Sequence, residues 1–404
     1  MDQEKKQKND TAKSGIRNVI LLGLISCFAD ISSEMVYPLI PLYLTTVLGA
    51  TPAIVGVIEG TAESLASLLK VFSGYISDKY QNKKKLAFAG YSTGLLYKLA
   101  LLFAGSWAGI LAARVIDRFG KGIRTAPRDV MVSESSQGGG LGRTFGIHKA
   151  LDMLGSAVGI LSAFLLLKYI GNGTEAYRVV FIASIVPIVI ALCLFGFVKE
   201  KKSERASSVQ PFWKEKAHLD GQLKLYLFVA TLFTLGNSSN TFLLLRANSI
   251  GIDSTNVIFL YFIYNAVASI LAVPMGKRSD KKGRKGLLIC GYLLFSTVYL
   301  LFGFSPTKES MVVAFILYGV YTAMIAGVER AFIAEISPAH LKGTVLGLHG
   351  TLTGIALLPA SVIAGFLWNN VGSAAPFVFG SALSAVAALL LLFGMKGRKD
   401  SGEV

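Results

Sequence analysis

The stretch Gly276-Lys-Arg-Ser-Asp280-Lys-Lys-Gly-Arg-Lys285 closes one long apolar run and opens another. The stretch Gly74-Tyr-Ile-Ser-Asp78-Lys79 does the same 202 residues earlier. That spacing also carries Gly49 to Gly251 and Arg128 to Arg330. At nearly that spacing, Arg143-Thr-Phe-Gly146-Ile-His148 returns as Lys342-Gly-Thr-Val-Leu-Gly347-Leu-His349. One unit, half the chain long, is therefore written twice in the same direction. Parallel duplication of a membrane unit implies an axis along the membrane normal and a central site between the halves.

The surrounding composition says what kind of unit it is. Of 404 residues, 53% are hydrophobic and only 16% charged, against roughly 25% charged in a soluble protein. Mean hydropathy is +0.57. These values exclude a disordered chain, a disulfide scaffold and an ordinary soluble enzyme. The 42 glycines suit close packing of membrane helices. Cys27, Cys193 and Cys290 stand far apart in apolar runs and read as small buried hydrophobes.

A helix crosses the hydrocarbon core in about 20 apolar residues. Runs of that length fall at 17–47, 52–77, 86–105, 108–132, 143–169, 177–198, 223–247, 255–278, 286–305, 310–336, 342–369 and 373–395. The expected architecture is all-α and polytopic, with twelve transmembrane helices in two pseudo-symmetric six-helix halves. The first run is too long for a cleavable signal peptide. The expected organisation is a tail at 1–16, a bundle at 17–198, a linker at 199–222, a second bundle at 223–395 and a tail at 396–404.

Lys and Arg set the expected orientation. They cluster before span 1 (Lys5, Lys6, Lys8, Lys13, Arg17), after span 2 (Lys79, Lys83, Lys84, Lys85), in the linker, after span 8 and in the last tail. The alternate connections, 49–53, 105–107 and 369–375, are nearly neutral. Both termini and the linker are expected on the cytoplasmic side of a prokaryotic cell membrane. The net charge of +16 then reflects topology and attraction to anionic lipid, not nucleic acid. The linker, with Trp213, reads either as an amphipathic helix on the inner leaflet or as solvated chain.

The pattern Gly-x-x-x-Asp-(Arg/Lys)-x-Gly-(Arg/Lys)-(Arg/Lys) between spans 2 and 3 resembles the signature of the major facilitator superfamily. Gly276 to Lys285 matches it, Gly283 included, whereas Gln81 stands in the first copy where Gly is usual. The resemblance covers essentially the whole chain. It implies alternating access by two rocking halves. Asp78 and Asp280, at helix ends, then read as gate residues that accept from a helix N-terminus or pair with a neighbouring base. Gly74, Gly276, Arg128, Arg284 and the acid–base couple Glu329 and Arg330 complete the expected gate.

Ionisable side chains at mid-membrane are costly and usually face a cavity or a partner. Span 1 carries Asp30, Ser33, Glu34 and Tyr37 on one helical face, before Pro38 and Pro41. Tyr37-Pro-Leu-Ile-Pro-Leu42 resembles the span-1 proline pattern of the superfamily's drug:proton antiporters. Paired carboxylates out of water suit proton carriage, since a shared proton relieves their repulsion. A structural pairing with span-4 arginines is the alternative. In span 7, Ser238 and Ser239 echo Ser32 and Ser33, and Asn240 takes the place of Glu34; Asn237 joins that polar face.

Span 4 carries Arg114, Asp117, Arg118, Lys121, Arg124 and Arg128 at spacings of three and four. Arg114 matches the arginine of the superfamily's span-4 motif, and Arg118 stands where that motif has Gly. Guanidinium forks suit carboxylate and phosphate, so one reading is an anion-binding wall. The others are support for the span-1 acids and a cytoplasmic gate. This block, with Ser-Ser-Glu34 and the span-5 stretch Arg143 to Asp152, resembles a prokaryotic subgroup of transporters to which the likeness assigns no substrate. Span 2 adds Glu59, Glu63 and Lys70 on one stripe, read as a face against the other half, with Glu59 and Glu63 as candidate solute contacts, or as a Glu–Lys network. Span 5 adds His148 and Asp152, with Gly155 and Gly159, but lacks the Gly-Pro of the antiporter motif. Imidazole ordinarily titrates near physiological pH, which places His148 with Asp30, Glu34 and Asp152 as candidate proton groups.

No P-loop, HExxH or credible Ser/His/Asp set is present, so neither enzyme nor cofactor is expected. The expected activity is secondary transport of a small organic solute, with proton-coupled export ahead of uptake or exchange of an organic anion or phosphorylated metabolite. A non-transporting receptor is the rival from another class. Protons, solute and membrane lipid are the expected partners of a monomer.

Overall fold

The computed structural model describes residues 2–80, 82–135, 141–171, 173–200, 220–305, 307–325, 327–337 and 342–395. Within these residues every regular element is a helix. That is what lipid demands of long apolar runs, because each backbone polar group must be satisfied inside its own segment. The linker residues 201–219, with Trp213, and the tail 396–404 lie outside the described residues.

Eleven of the described helical segments are long and apolar enough to cross a membrane. The twelfth expected span is the helix Trp107–Ser135, 29 residues long. Its row of charges, and not its length, keeps it out of the hydropathy count. Large apolar side chains cover the outside, among them Phe103 at 86% exposed and Phe393 at 80%. Such a belt fits lipid and not water.

Several spans are broken, and the break in span 1 recurs at the matching place in span 7. Span 1 runs as Asp2–Val36, a 3-10 turn at Tyr37–Leu39, and Ile40–Thr46. Pro38 and Pro41 remove the backbone donors that would continue the helix. Span 7 breaks at the matching place, between Gly221–Gly236 and Thr241–Ser249, across Asn-Ser-Ser-Asn, which competes for backbone hydrogen bonds. Span 10 is Lys308–Ile325 followed by Val328–Ile336, matched in span 4 by Pro127 inside a continuous helix. Span 6 is Thr174–Ala183 then Ile185–Leu194, with a 3-10 turn Phe195–Phe197. Gly49 and Gly251, just beyond spans 1 and 7, have φ of 64° and 86°. Only glycine takes that conformation without strain, so this repeat in sequence is a repeat in backbone geometry.

The remaining spans are the helices Pro52–Tyr80, Lys83–Phe103, Leu141–Ile170, Ser254–Lys282, Arg284–Phe304, Lys342–Asn370 and Ala375–Gly394, numbered 2, 3, 5, 8, 9, 11 and 12. The chain forms two compact units. Of the described residues, the first holds those within 2–50, 61–200 and 253–259; the second holds those within 51–60, 220–252 and 260–395. In the first unit Tyr177 donates to Ser254 at 2.9 Å and Phe164 packs on Phe259, ring centroids 5.0 Å apart. In the second, Gly60 and Gly365 let spans 2 and 11 touch backbone to backbone.

The first unit's core joins spans 1, 3, 4 and 6 through Leu22, Ile25, Tyr91, Val132, Ile188 and Phe195. The second is aromatic: Phe233 stacks on Tyr292 at 4.1 Å and Phe295 on Tyr299 at 3.9 Å.

Candidate functional site

Helical periodicity puts Asp30, Ser33, Glu34 and Tyr37 on one face of span 1, and Arg114, Asp117, Arg118, Lys121 and Arg124 on one face of span 4. In the first unit these faces meet, with Tyr97 of span 3, around a cavity of about 30 Å³. Glycines set the approach. A Cβ on Gly90 of span 3 would lie 2.8 Å from the Gly120 carbonyl oxygen. One on Gly159 of span 5 would lie 2.6 Å from that of Ile31 and 3.1 Å from the Glu34 Cβ.

Four basic side chains and three acidic ones line this cavity. Arg114 is 1% exposed. Its guanidinium and that of Arg118 lie over the Tyr37 ring, 5.2 and 5.7 Å from the centroid, a geometry that stabilises buried cations. Arg118 also pairs with Glu63 at 3.2 Å and lies 3.5 Å from Asp117. Arg124 lies 4.4 Å over the Tyr91 ring. The Glu34 Oε2 is buried and accepts no hydrogen bond among the described residues. The wall is therefore part-neutralised and part-open, and the cavity has room for water.

Beside it lies a second cluster that sequence reading found only in part. His148 Nδ1 lies 3.6 Å from Asp152 Oδ2, as expected for side chains one turn apart. The ring's Nε2 lies 3.1 Å from the Ser26 hydroxyl, which is 2.9 Å from the Tyr91 hydroxyl. Arg128 donates to Ser26 at 3.2 Å and to Asp129 at 2.8 Å. Ser26 and Tyr91 were not singled out, although Ser26 sits one turn before Asp30 on the same stripe. Lys98 was missed as well. It is 1% exposed, lies 4.3 Å over the Tyr97 ring, and its Nζ has no hydrogen-bond partner among the described residues. A lone lysine within an apolar span was its visible signal.

The second unit keeps the pattern with different chemistry. Asn240 donates to Tyr264 at 3.3 Å and accepts from Tyr318 at 2.7 Å; Asn237 donates to Tyr321 at 3.2 Å. This polar face is neutral and aromatic, as the Asn for Glu exchange suggested. Stepping 201 residues takes Tyr91 to Tyr292, Arg128 to Glu329 and His148 to His349. Glu329 lies 3.4 Å from His349 Nε2 and accepts from Tyr226 at 3.4 Å. It faces these groups and not its chain neighbour Arg330, because consecutive helical residues point about 100° apart. Arg284 pairs with Glu335 at 2.7 Å. Glu59 is buried, belongs to the second unit, and is not among the residues lining the cavity. Gly276 has open space where a Cβ would stand. Gly74, Asp78 and Asp280 lie outside the residues whose side chains are described.

The Major Facilitator Superfamily profile matches residues 22–238 and, a second time, 225–403. The chain belongs to the major facilitator superfamily. An uncharacterized MFS-type transporter of Methanocaldococcus jannaschii is 35% identical over 97% of this chain and 98% of its own. The fosmidomycin resistance protein of Escherichia coli is 24% identical over 85% of each chain. Among solved structures, a nucleoside transporter superposes with a TM-score of 0.79 at 12% identity, covering 94% of this chain and all of that one. That likeness is one of fold. The superfamily's twelve spans in two six-helix halves account for the doubled sequence, and the chain is a membrane transporter and not an enzyme.

Proposed function

We propose that this superfamily member is a secondary active transporter that exports a small organic solute by alternating access, driven by protons. The observation that carries the reading is the meeting of Asp30 and Glu34 with the span-4 bases around one cavity. Carboxylates supply proton sites, and guanidinium and ammonium groups supply a place for an anionic or zwitterionic group of the solute. Export is favoured by the span-1 prolines and by the resistance function in the name of the E. coli relative. Asp30, Glu34, His148 and Asp152 are the proposed proton groups. Arg114, Asp117, Arg118, Arg124, Ser33, Tyr37, Glu59, Glu63, Asn237 and Asn240 are the proposed solute contacts. Gly74, Asp78, Arg128, Gly276, Asp280, Arg284, Glu329 and Arg330 form the proposed gate. The protein acts as a monomer with both termini and the linker in the cytoplasm.

Uptake or exchange of an organic anion is the second reading. It is favoured by the excess of bases over acids lining the cavity.

The test is a thermal-shift panel on purified protein, using organic acids, phosphorylated metabolites, metal chelates and lipophilic cations at pH 5.5 and 7.5. Stabilisation that Asp30→Asn abolishes supports proton-coupled export. Stabilisation by an anion that survives Asp30→Asn but not Arg118→Ala transfers support to the second reading. No stabilisation by any class, in a protein that melts cooperatively, overturns both.

A further inference from the structure

A larger cavity, about 510 Å³, lies in the first unit away from the charged site, between the start of span 1 and the end of span 6. Its volume is that of a ligand pocket. The apolar stretches of these spans begin at Gly15 and end at Phe197, so the cavity sits at a membrane boundary. Leu21 and Val198 are apolar parts of its wall, Phe197 is 63% exposed, and Gly196 leaves bare backbone with open space beyond it.

Arg17 and Lys199 supply its charge, and both are exposed. No hydrogen bond or ion pair engages either side chain among the described residues. Asn18 holds their backbones together. Its Nδ2 donates to the Lys199 carbonyl at 3.1 Å and to Ser135 at 2.8 Å, and its Oδ1 accepts from the Lys199 amide at 3.0 Å. The neighbouring charges are engaged elsewhere. Glu134 pairs with Lys83, Glu200 accepts from the Lys84 amide at 3.3 Å, and Lys84 Nζ donates to the Val198 carbonyl at 2.7 Å. Among the described residues the cavity therefore offers two cations without a side-chain partner above an apolar wall.

We infer that this cavity binds an anionic phospholipid, its phosphate between Arg17 and Lys199 and an acyl chain along Leu21 and Phe197. A soluble anion would use the two cations and leave the apolar wall unused. A phospholipid uses both, and basic pockets between membrane helices are where anionic headgroups collect. The site does not depend on the proposed substrate or direction of transport. Its occupant would brace span 1, which carries Asp30 and Glu34, against span 6.

The test is native mass spectrometry of the full chain released from mixed phosphatidylglycerol and phosphatidylcholine micelles. Wild type is expected to retain phosphatidylglycerol at least about five-fold over phosphatidylcholine, and each cation removed is expected to weaken retention by about five-fold. Arg17→Ala/Lys199→Ala is expected to lose the preference. Lys168→Ala/Arg178→Ala, which removes two cations elsewhere, is expected to keep it. Phe197→Ser is expected to weaken retention with the cations intact, and excess inorganic phosphate is expected not to displace the lipid. Equal retention of the two lipids by wild type, or an undiminished preference in Arg17→Ala/Lys199→Ala, overturns the proposal. Displacement by inorganic phosphate, with Phe197→Ser unchanged, assigns the site to a soluble anion and overturns it too. If the double variant fails to fold, Lys199→Gln alone reads the same loss.

Discussion

Arg118 of span 4 holds Glu63 of span 2 at 3.2 Å, with the arginine side chain 5% exposed and the glutamate 30%. The pair ties two spans together beside a charged cavity. Glu63→Gln removes the partner of a buried guanidinium, which in a fully buried pair costs 3–5 kcal/mol. Here Asp117 remains 3.5 Å away and Glu63 is partly wet, so a cost of about 1–3 kcal/mol is expected. Thermal melting should show Glu63→Gln less stable than wild type, with Glu63→Gln/Arg118→Met recovering most of the loss. A double variant worse than the sum of the singles would falsify the pairing.

Asp30 and Glu34 should separate coupling from binding. In proteoliposomes, Asp30→Asn and Glu34→Gln are expected to lose solute accumulation driven by a pH gradient. Exchange of labelled for unlabelled solute, which needs no net proton movement, should persist. Gradient-driven accumulation at wild-type rates in both variants would remove these residues from the coupling path.

Ser26 is the joint of three side chains, with Tyr91, His148 and Arg128 at 2.9, 3.1 and 3.2 Å. Ser26→Ala is nearly isosteric but leaves buried polar groups without a partner. A loss of about 1–3 kcal/mol is expected. Ser26→Thr, which keeps the hydroxyl, should fall between wild type and alanine. An alanine variant that melts with wild type would show that water replaces the joint.

Gly159 sets how closely span 5 approaches span 1. Gly159→Leu pushes against the Ile31 backbone and the Glu34 Cβ, and overpacking of this kind costs about 1–3 kcal/mol. The variant should melt lower and respond less to any solute that stabilises wild type. Gly286→Ala, where a Cβ meets open space, is the control and should melt no lower than wild type.

Lys98 has a buried Nζ with no hydrogen-bond partner among the described residues. Lys98→Met keeps the chain's bulk and is expected to change stability by no more than about 1 kcal/mol. Lys98 stands within the electrostatic reach of Asp117 and Glu34, so its removal is expected to change the charge of the site more than its packing. Solute response should therefore fall while melting holds. A large drop in melting temperature would make Lys98 structural.

Much of this was legible before any coordinates. The helices at Pro52–Tyr80, Arg284–Phe304 and Lys342–Asn370 lie within a few residues of the runs read from hydropathy, because a span's length is dictated by the bilayer. The stripes Asp30-Ser33-Glu34-Tyr37 and Arg114 to Arg124 were legible for a similar reason, since spacing alone places residues on one helical face. Lys98 and Ser26 were harder to read: a lone lysine in an apolar span is conspicuous but does not show what it meets, and Ser26, one turn before Asp30, is a residue type common in membrane helices. The link from Glu329 to His349, on different spans, was also hidden, and adjacency in the chain suggested Arg330 instead.

The number and length of the spans, their duplication and the polar stripe each carries can all be read from the chain alone. These follow from local rules: hydrophobic thickness, helical period, and the backbone needs of Gly and Pro. Packing between helices is what gives Glu63 to Arg118, joins Tyr91 to His148 through Ser26, and leaves one Glu34 oxygen unpartnered among the described residues. Those outcomes depend on how far each helix is rotated about its axis against its neighbours. That rotation is set by contacts such as Gly90 on Gly120 and Gly159 on Ile31, which join residues far apart in the chain and leave no mark in either segment read alone.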